Sequence, residues 1–265
     1  MSGEKFAVTP EQIREFKEAT LMDNDFMRAF FEDNIPAVQK VLRIIMDKPD
    51  LIVMSVSVQE KFKGFEDSHG VRFDVYAVDS EGRQYDIEFQ NDADGASPQR
   101  ADYYSSMMTV RTLKKTEKYS ELSKRERVVI FITRTDVLRG RRPLYTIERV
   151  IREVSRPFND GTRIIYVNTS HKDTGTALGK LIHDLRCRNP KEWYYTDIME
   201  RAEKLKGDDG IMKAIAEMKA KERADACENI ALGFIKLGKN TLEDIAKICH
   251  LTLDRVRELA ETVNA

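Results

Sequence analysis

The 265-residue chain contains little cysteine. Its three cysteines, Cys187, Cys227 and Cys249, are odd in number and far apart, which favours reduced thiols in a cytoplasmic protein over a disulfide framework. Cys249 and His250 are adjacent, but no second Cys/His pair lies nearby, so we expect no zinc site. A chain of this length buries about 70–75% of its unfolded surface, so folding requires neither disulfides nor a metal.

Long apolar runs are also missing. The longest, at residues 128–132, has five residues, whereas a membrane-spanning helix needs roughly 20. The first residues, MSGEKFAVTPEQ, lack the apolar stretch of a secretory signal. The sequence therefore predicts a cytoplasmic protein with no membrane partner.

Neither sign of charge is in excess, because 44 Lys+Arg face 45 Asp+Glu and the net charge is −1. Taken alone, this balance argues against a basic nucleic-acid binder. The balance is uneven along the chain, however. Residues 1–99 carry a net charge of −9, residues 100–156 carry +8, and residues 157–265 carry 0. An acidic N-terminal block therefore adjoins a basic block.

The order of predicted elements favours an α/β fold with a central mixed sheet flanked by helices. Helices are predicted first, and a further long helix is predicted from Pro98 to about Lys118. Strands are predicted at residues 51–58, 71–78, 84–90, 128–133, 144–154 and 162–168. A change in composition near residues 206–210 predicts two domains, 1–206 and an all-helical C-terminal module at 207–265.

The two segments at 71–78 and 84–90 are predicted to form a β-hairpin. A three-residue turn needs a left-handed residue at its third position, and Gly82 supplies it. This register places Asp74 opposite Glu88, on one face, where opposed Cβ atoms lie about 4.5–5.5 Å apart. A slip of one residue would send Asp74 to the other face.

Two carboxylates held this close repel each other, and a cation between them relieves the repulsion. Oxygen ligands suit Mg²⁺ or Mn²⁺ rather than zinc, and such an ion can polarise a phosphoryl oxygen. Gln90, two residues after Glu88, adds an amide to the same face. The alternative is a pair of solvated acidic residues on an exposed hairpin.

These residues resemble the motif of the PD-(D/E)XK nuclease superfamily, an Asp on one strand followed by Asp/Glu-x-Lys on the next. The phrase VRFDVYAVDSEGRQYDIEFQ is more similar to the superfamily's recombination-promoting nuclease (Rpn) and transposase branch. Further similar segments occur in the family's order: DNDFMRAFF before the hairpin, then RADYYSSMM, YSEL and VVIFIT after it, and ALGFIKLGKNTLEDIAKICHLTLDRVREL near the end.

The resemblance implies a restriction-endonuclease-like core and a metal-dependent DNA endonuclease, a hydrolase of phosphodiester bonds. Asp74 and Glu88 would bind the metal, and Gln90 would stand at the position of the superfamily's Lys, as is usual in this branch. Gln can orient a water molecule but carries no charge, so more of the activation would fall on Mg²⁺ or Mn²⁺. The alternative is a catalytically degenerate DNA-binding or interaction protein on the same fold.

Residues outside the hairpin are weaker candidates. Arg100 is a candidate phosphate contact, Tyr103 and Tyr104 are candidates for stacking or positioning, and ordinary helix packing is the alternative for all three. Asp25 or Glu60 could supply a third carboxylate. Two basic clusters are candidates for tracking a DNA backbone, with a solvated surface as the alternative. The first comprises Lys114, Lys115, Lys118, Lys124, Arg125 and Arg127, and the second comprises Arg139, Arg141 and Arg142.

The last two predicted helices, from Thr241 and Thr252, resemble a helix-turn-helix. A recognition helix should present basic or amide side chains to base edges, but the last helix presents a mixture of acids and bases. We therefore favour a packing or homo-oligomerisation role for this module over direct reading of DNA.

Overall fold

Strand β4, Arg127–Thr133, is buried at every position and lies inside a six-stranded sheet. The computed structural model describes residues 8–62 and 69–264. The strand order is β1-β2-β3-β4-β8-β5. Strands β1, β2 and β3 form an antiparallel meander, β3, β4 and β8 are parallel, and β5 is antiparallel to β8. The predicted mixed sheet with flanking helices is confirmed.

The strands are β1 Val53–Phe62, β2 Val71–Asp79, β3 Gln84–Gln90, β4 Arg127–Thr133, β5 Leu144–Ile147, β6 Val150–Ile151, β7 Arg156–Pro157 and β8 Thr162–Asn168. The helices are α1 Pro10–Glu18, α2 Asn24–Phe31, α3 Ile35–Ile45, α4 Pro98–Thr112, α5 Ala177–Arg186, α6 Thr196–Lys206, α7 Asp208–Leu237, α8 Leu242–Cys249 and α9 Leu253–Asn264.

Helix α4 covers the face of the sheet that carries the candidate carboxylates. Ser97 caps the helix by accepting the N–H of Arg100, and Pro98 occupies its first turn. The buried face of α4 packs with Phe73 and Phe131 in one apolar cluster. This packing fixes the hairpin and β4 against α4, which positions the first turn of α4 beside the end of β3.

Two sequence predictions of element length were wrong. Helix α4 ends at Thr112 instead of Lys118, because Leu113 is extended and the Lys114 N–H donates to Glu117. The predicted strand at 144–154 ends at Ile147, where its partner β8 is close to its own first residue. The chain then leaves the sheet and forms a separate two-stranded hairpin, β6–β7.

The described chain divides into two compact units, Glu11–Gly207 and the remainder, which comprises residues 8–10 and the chain from Asp208 onwards. In the second unit, α7, α8 and α9 share an apolar core. Thr241 caps α8, and His250 ends it in the left-handed conformation at φ 54°. Arg255 makes a bidentate ion pair with Glu228, which ties α9 to α7. No helix in the described ranges is long and apolar enough to cross a membrane.

Candidate nuclease site

The β2–β3 hairpin adopts the predicted register. Val75 pairs with Ile87 and Tyr76 pairs with Asp86. At the turn, the Asp79 N–H donates to the carbonyl oxygen of Arg83, and Gly82 has the left-handed φ of 77° that the turn requires. This register brings Asp74 and Glu88 to the same end of the hairpin.

Beyond the Val75–Ile87 pair, side-chain carboxylates replace the backbone ladder. The Asp74 N–H donates to Glu88 Oε1 at 2.9 Å, and the Phe89 N–H donates to Asp74 Oδ2 at 3.1 Å. Each carboxylate is therefore held by the backbone of the opposite strand. Gln59, on β1, donates its side-chain amide to Asp74 Oδ1 at 2.9 Å. The two carboxylates are consequently fixed in position rather than free to turn towards solvent.

Burial disfavours the negatively charged forms of both carboxyl groups. Glu88 is only 1% exposed, and burial together with the charge of Asp74 raises its pKa to about 8. Burial also raises the pKa of Asp74, against the lowering effect of its hydrogen bonds to Phe89 and Gln59. Ionising both groups is therefore costly unless a cation lies close by.

Asp86 is a third carboxyl group that sequence reasoning missed. It is fully buried, and burial followed by the charges of Glu88 and Asp74 raises its pKa well above the usual range. No N–H or hydroxyl group in the described part of the chain donates to its oxygens, and the Glu88 carboxyl group lies within hydrogen-bonding range of it. The strand alternation had already placed Asp86 on the same face as Glu88, but alternation alone does not distinguish a buried carboxyl group from a solvated one.

Arg100 is the cation that contacts Glu88, and both Arg72 and Arg100 lower the pKa of Asp74. Its Nη2 atom lies 3.5 Å from Glu88 Oε2 and donates to the Tyr104 hydroxyl at 3.1 Å. Its Nη1 atom donates to the carbonyl oxygen of Gly95 at 2.8 Å and to Gln90 Oε1 at 3.4 Å. The Arg100 side chain is about one-third exposed. The structure therefore brings Arg100, Tyr104 and Gln90 together with the carboxylate pair.

Three other candidates lie elsewhere. Tyr103 donates its hydroxyl to the carbonyl oxygen of His69 and does not contact the carboxylates. Glu60 forms an ion pair with Arg111. Asp25 accepts a hydrogen bond from its neighbour Asn24 at an exposed position. The proposed third carboxylate from Asp25 or Glu60 therefore finds no support in these contacts.

The donor set is compatible with a hard divalent cation. The available atoms are carboxylate and amide oxygens, which Mg²⁺ and Mn²⁺ prefer. Gln59 Oε1 and both Asp86 oxygens are buried and accept no hydrogen bond from an N–H or hydroxyl group among the described residues. Within those residues, no group of three or more His, Cys, Asp or Glu side chains has an arrangement that could hold a metal ion. Asp74 and Glu88 would therefore need oxygen ligands from outside their own pair.

The basic block is divided between opposite ends of the parallel strands. Glu88 and Gln90 lie at the carboxyl end of β3, where Gln90 pairs with Thr133 of β4. The second basic cluster follows β4 at this end, and the Arg134 N–H donates to the Gln90 carbonyl oxygen. The first cluster precedes β4, at the amino end, about 20 Å away along the strand.

Arg127 is a correction to the first basic cluster. It is 1% exposed, so it cannot track a DNA backbone. Its guanidinium donates to the carbonyl oxygens of Leu122 and Asp160 at 2.5 and 2.6 Å. Arg127 therefore connects two segments of the chain, and its charge was misleading because sequence alone does not show burial.

An antiparallel hairpin that ends in a carboxylate pair, within a mixed sheet covered by a helix, is the arrangement of a PD-(D/E)XK-type nuclease core. A family model described as a PD-(D/E)XK nuclease family transposase matches residues 21–226. Because the match covers most of the chain, the protein belongs to this family, and the predicted membership is confirmed. Searches of curated proteins and of solved structures each returned no match.

Proposed function

We propose that this chain is a metal-dependent DNA endonuclease that hydrolyses phosphodiester bonds in the cytoplasm. The observation that carries the proposal is the mutual clamping of Asp74 and Glu88, each bound to the opposite strand's backbone while burial raises its pKa. Two acidic groups held together against their own repulsion fit a cation site better than a solvated surface.

Asp74 and Glu88 would hold Mg²⁺ or Mn²⁺. When bound, such an ion polarises a phosphoryl oxygen and lowers the pKa of a bound water. The hydrogen bonds from Phe89 and Gln59 leave Asp74 with one fixed orientation. The carboxylates would therefore require little reorganisation when the ion enters.

Gln90 would orient the attacking water through its side-chain amide. Arg100 lies beside both Gln90 and Glu88. If a metal ion balanced the charge of Glu88, Arg100 would be able to stabilise negative charge on the phosphate. The arginines after β4, Arg139, Arg141 and Arg142, are exposed at this end of the sheet and would contact the DNA backbone.

The decisive experiment is a plasmid-nicking assay on the full chain with Mg²⁺, with Mn²⁺, or with EDTA. We expect nicking with either ion and none with EDTA. The control is Glu81→Gln, which removes an exposed carboxylate from the turn of the same hairpin and should cut like the wild type. Cleavage that persists in EDTA, or no cleavage with either ion, contradicts the proposal.

Gly95→Ala tests the position of Gln90. A Cβ atom at residue 95 would overlap Gln90 Oε1, the movable end of a side chain. We expect the amide to shift, so that metal-dependent cleavage falls about 10- to 100-fold. The free energy of unfolding should change by less than about 1 kcal/mol. Initial rates and urea unfolding curves measure the two effects, and an unchanged rate would show that Gln90 is not required where it lies.

The alternative function is a catalytically degenerate DNA-binding or interaction protein. The observation in its favour is Gln90, an uncharged residue where the superfamily has Lys. It predicts DNA binding without cleavage, and no metal binding that depends on Glu88. Titration calorimetry with Mn²⁺, on wild type and Glu88→Gln, separates the two: binding heat that disappears in the variant favours the nuclease.

A further inference from the structure

The basic cluster that lies away from the carboxylates forms a surface of its own with the β6–β7 hairpin. We name this the amino-end surface, because it lies at the amino end of β4 and β8. Its members are exposed cations and aromatic residues from two segments. They are Lys114, Lys115, Lys118, Tyr119, Arg152, Arg156 and Phe158.

Buried contacts join the two segments. Arg127, at the start of β4, donates to the carbonyl oxygen of Leu122 in the first segment and to that of Asp160 at the base of the hairpin. A Cβ atom at Gly161 would approach the Leu122 carbonyl oxygen to 2.9 Å, so the segments touch there. Arg125 binds the first segment back to α4 through Glu117 and the Thr112 carbonyl oxygen.

The cations of this surface are only partly balanced by acidic groups of the protein, because Lys114 interacts with Glu117 while no ion pair joins the others to an acidic group among the described residues. Arg125 and Lys124 have acidic partners, Glu117 and Glu121. Lys115 and Lys118 have no ion pair within the described residues, and neither do Arg152 and Arg156. Unpaired cations gathered on one face attract a polyanion, because each contact with a phosphate releases a condensed counterion.

Exposed aromatic rings lie among these cations. Tyr119 is 83% exposed directly after Lys118, and Phe158 is 57% exposed two residues after Arg156. A basic surface that only faces water does not require exposed aromatic rings, whereas the unpaired bases of a nucleic acid stack on such rings. Cations interleaved with aromatic side chains are the chemistry that recognises a nucleic-acid strand.

We propose that the amino-end surface is a second DNA-binding surface, separate from the carboxylate pair. Its cations contact the sugar-phosphate backbone, and Tyr119 and Phe158 accept unpaired bases. The six residue steps of β4 place it about 20 Å from the end of the sheet that carries Glu88. The proposal extends the proposed nuclease function, but binding here does not require hydrolysis.

The test measures binding in EDTA, where no cleavage occurs. The probes are a fluorescein-labelled 30-base-pair duplex and a single strand of the same length, titrated by anisotropy over a range of salt concentrations. For Lys114→Gln/Lys115→Gln/Lys118→Gln we expect at least about tenfold weaker binding of both probes, and a salt slope for the duplex smaller by about 2 to 3. The matched control, Lys191→Gln/Lys204→Gln/Lys239→Gln, removes the same charge from exposed positions elsewhere and should change neither.

Tyr119→Ala/Phe158→Ala should weaken the single strand at least about tenfold and leave the duplex unchanged, because only unpaired bases can stack. Equal losses in the two lysine triples would show a general charge effect and overturn the proposal, as would unchanged binding in both. If the wild type does not cut with Mg²⁺ but the first triple still loses binding, the nuclease proposal fails and the amino-end surface stands.

Discussion

Asp74→Asn is expected to lower metal-dependent nicking at least about 100-fold, because an amide oxygen binds Mg²⁺ more weakly than a carboxylate and carries no charge to balance that of the ion. The fold should survive. The new side chain keeps one oxygen to accept the Phe89 N–H. Its NH₂ group can donate to the unpartnered Gln59 Oε1 after the Gln59 side-chain amide flips. Nicking rates and DNA binding in EDTA measure the two properties, and binding should stay within about threefold of the wild type.

Glu88→Gln should cause a loss of the same size, and the double variant should be no worse than either single one. Side chains that act through one ion do not contribute additively. Glu81→Gln, at the exposed turn of the hairpin, is the control. Wild-type cleavage by Asp74→Asn would show that the carboxylates are structural, and losses that multiply in the double variant would show that they act separately.

Glu88→Gln is also expected to stabilise the metal-free protein at alkaline pH. In the folded protein the pKa of Glu88 is raised to about 8 from its ordinary value of 4.5. Below about pH 4.5 the carboxyl group is protonated in both states and imposes no penalty. As the pH rises towards 8, ionisation favours the unfolded chain, so wild-type stability falls by a few kcal/mol, on the order of the shift. The Glu88→Gln variant does not lose stability in this way, because its side-chain amide does not ionise.

Urea unfolding in EDTA at several pH values between 5 and 8.5 measures the difference. We expect the variant to exceed the wild type by about 2 to 3 kcal/mol at pH 8 and by little at pH 5. Asp74 and Asp86 titrate with Glu88, so the transition belongs to the group rather than to one residue. Glu81→Gln removes only an exposed ion pair and should change stability by less than about 1 kcal/mol. A variant that is less stable at pH 8 would contradict the burial argument.

Local chemistry made the hairpin predictable. The left-handed requirement at Gly82 and the strict alternation along β3 together determine which residues oppose each other, so Asp74 and Glu88 could be paired from the sequence. The apolar stretch of β4 likewise predicted a strand buried on both faces.

Burial of polar groups was not predictable in the same way. Asp86 and Arg127 read as ordinary surface charges, yet both lie in the interior because α4 and the Asp160 loop cover them. The positions of the two basic clusters in the fold were also not predictable from the sequence. The basic block is continuous in sequence, but β4 runs through it, so its two clusters lie at opposite ends of one strand.

The hairpin turn determines how well the carboxylate pair tolerates mutations elsewhere in the hairpin. Gly82 lies six residues from Glu88 and eight from Asp74, yet its conformation decides whether these two carboxylates meet. A substitution at the turn that shifted the register would therefore separate the two carboxylates, and it would also turn the buried side chains of β3 to the wrong face of the sheet. A residue that is not part of the carboxylate pair therefore determines whether the pair can form.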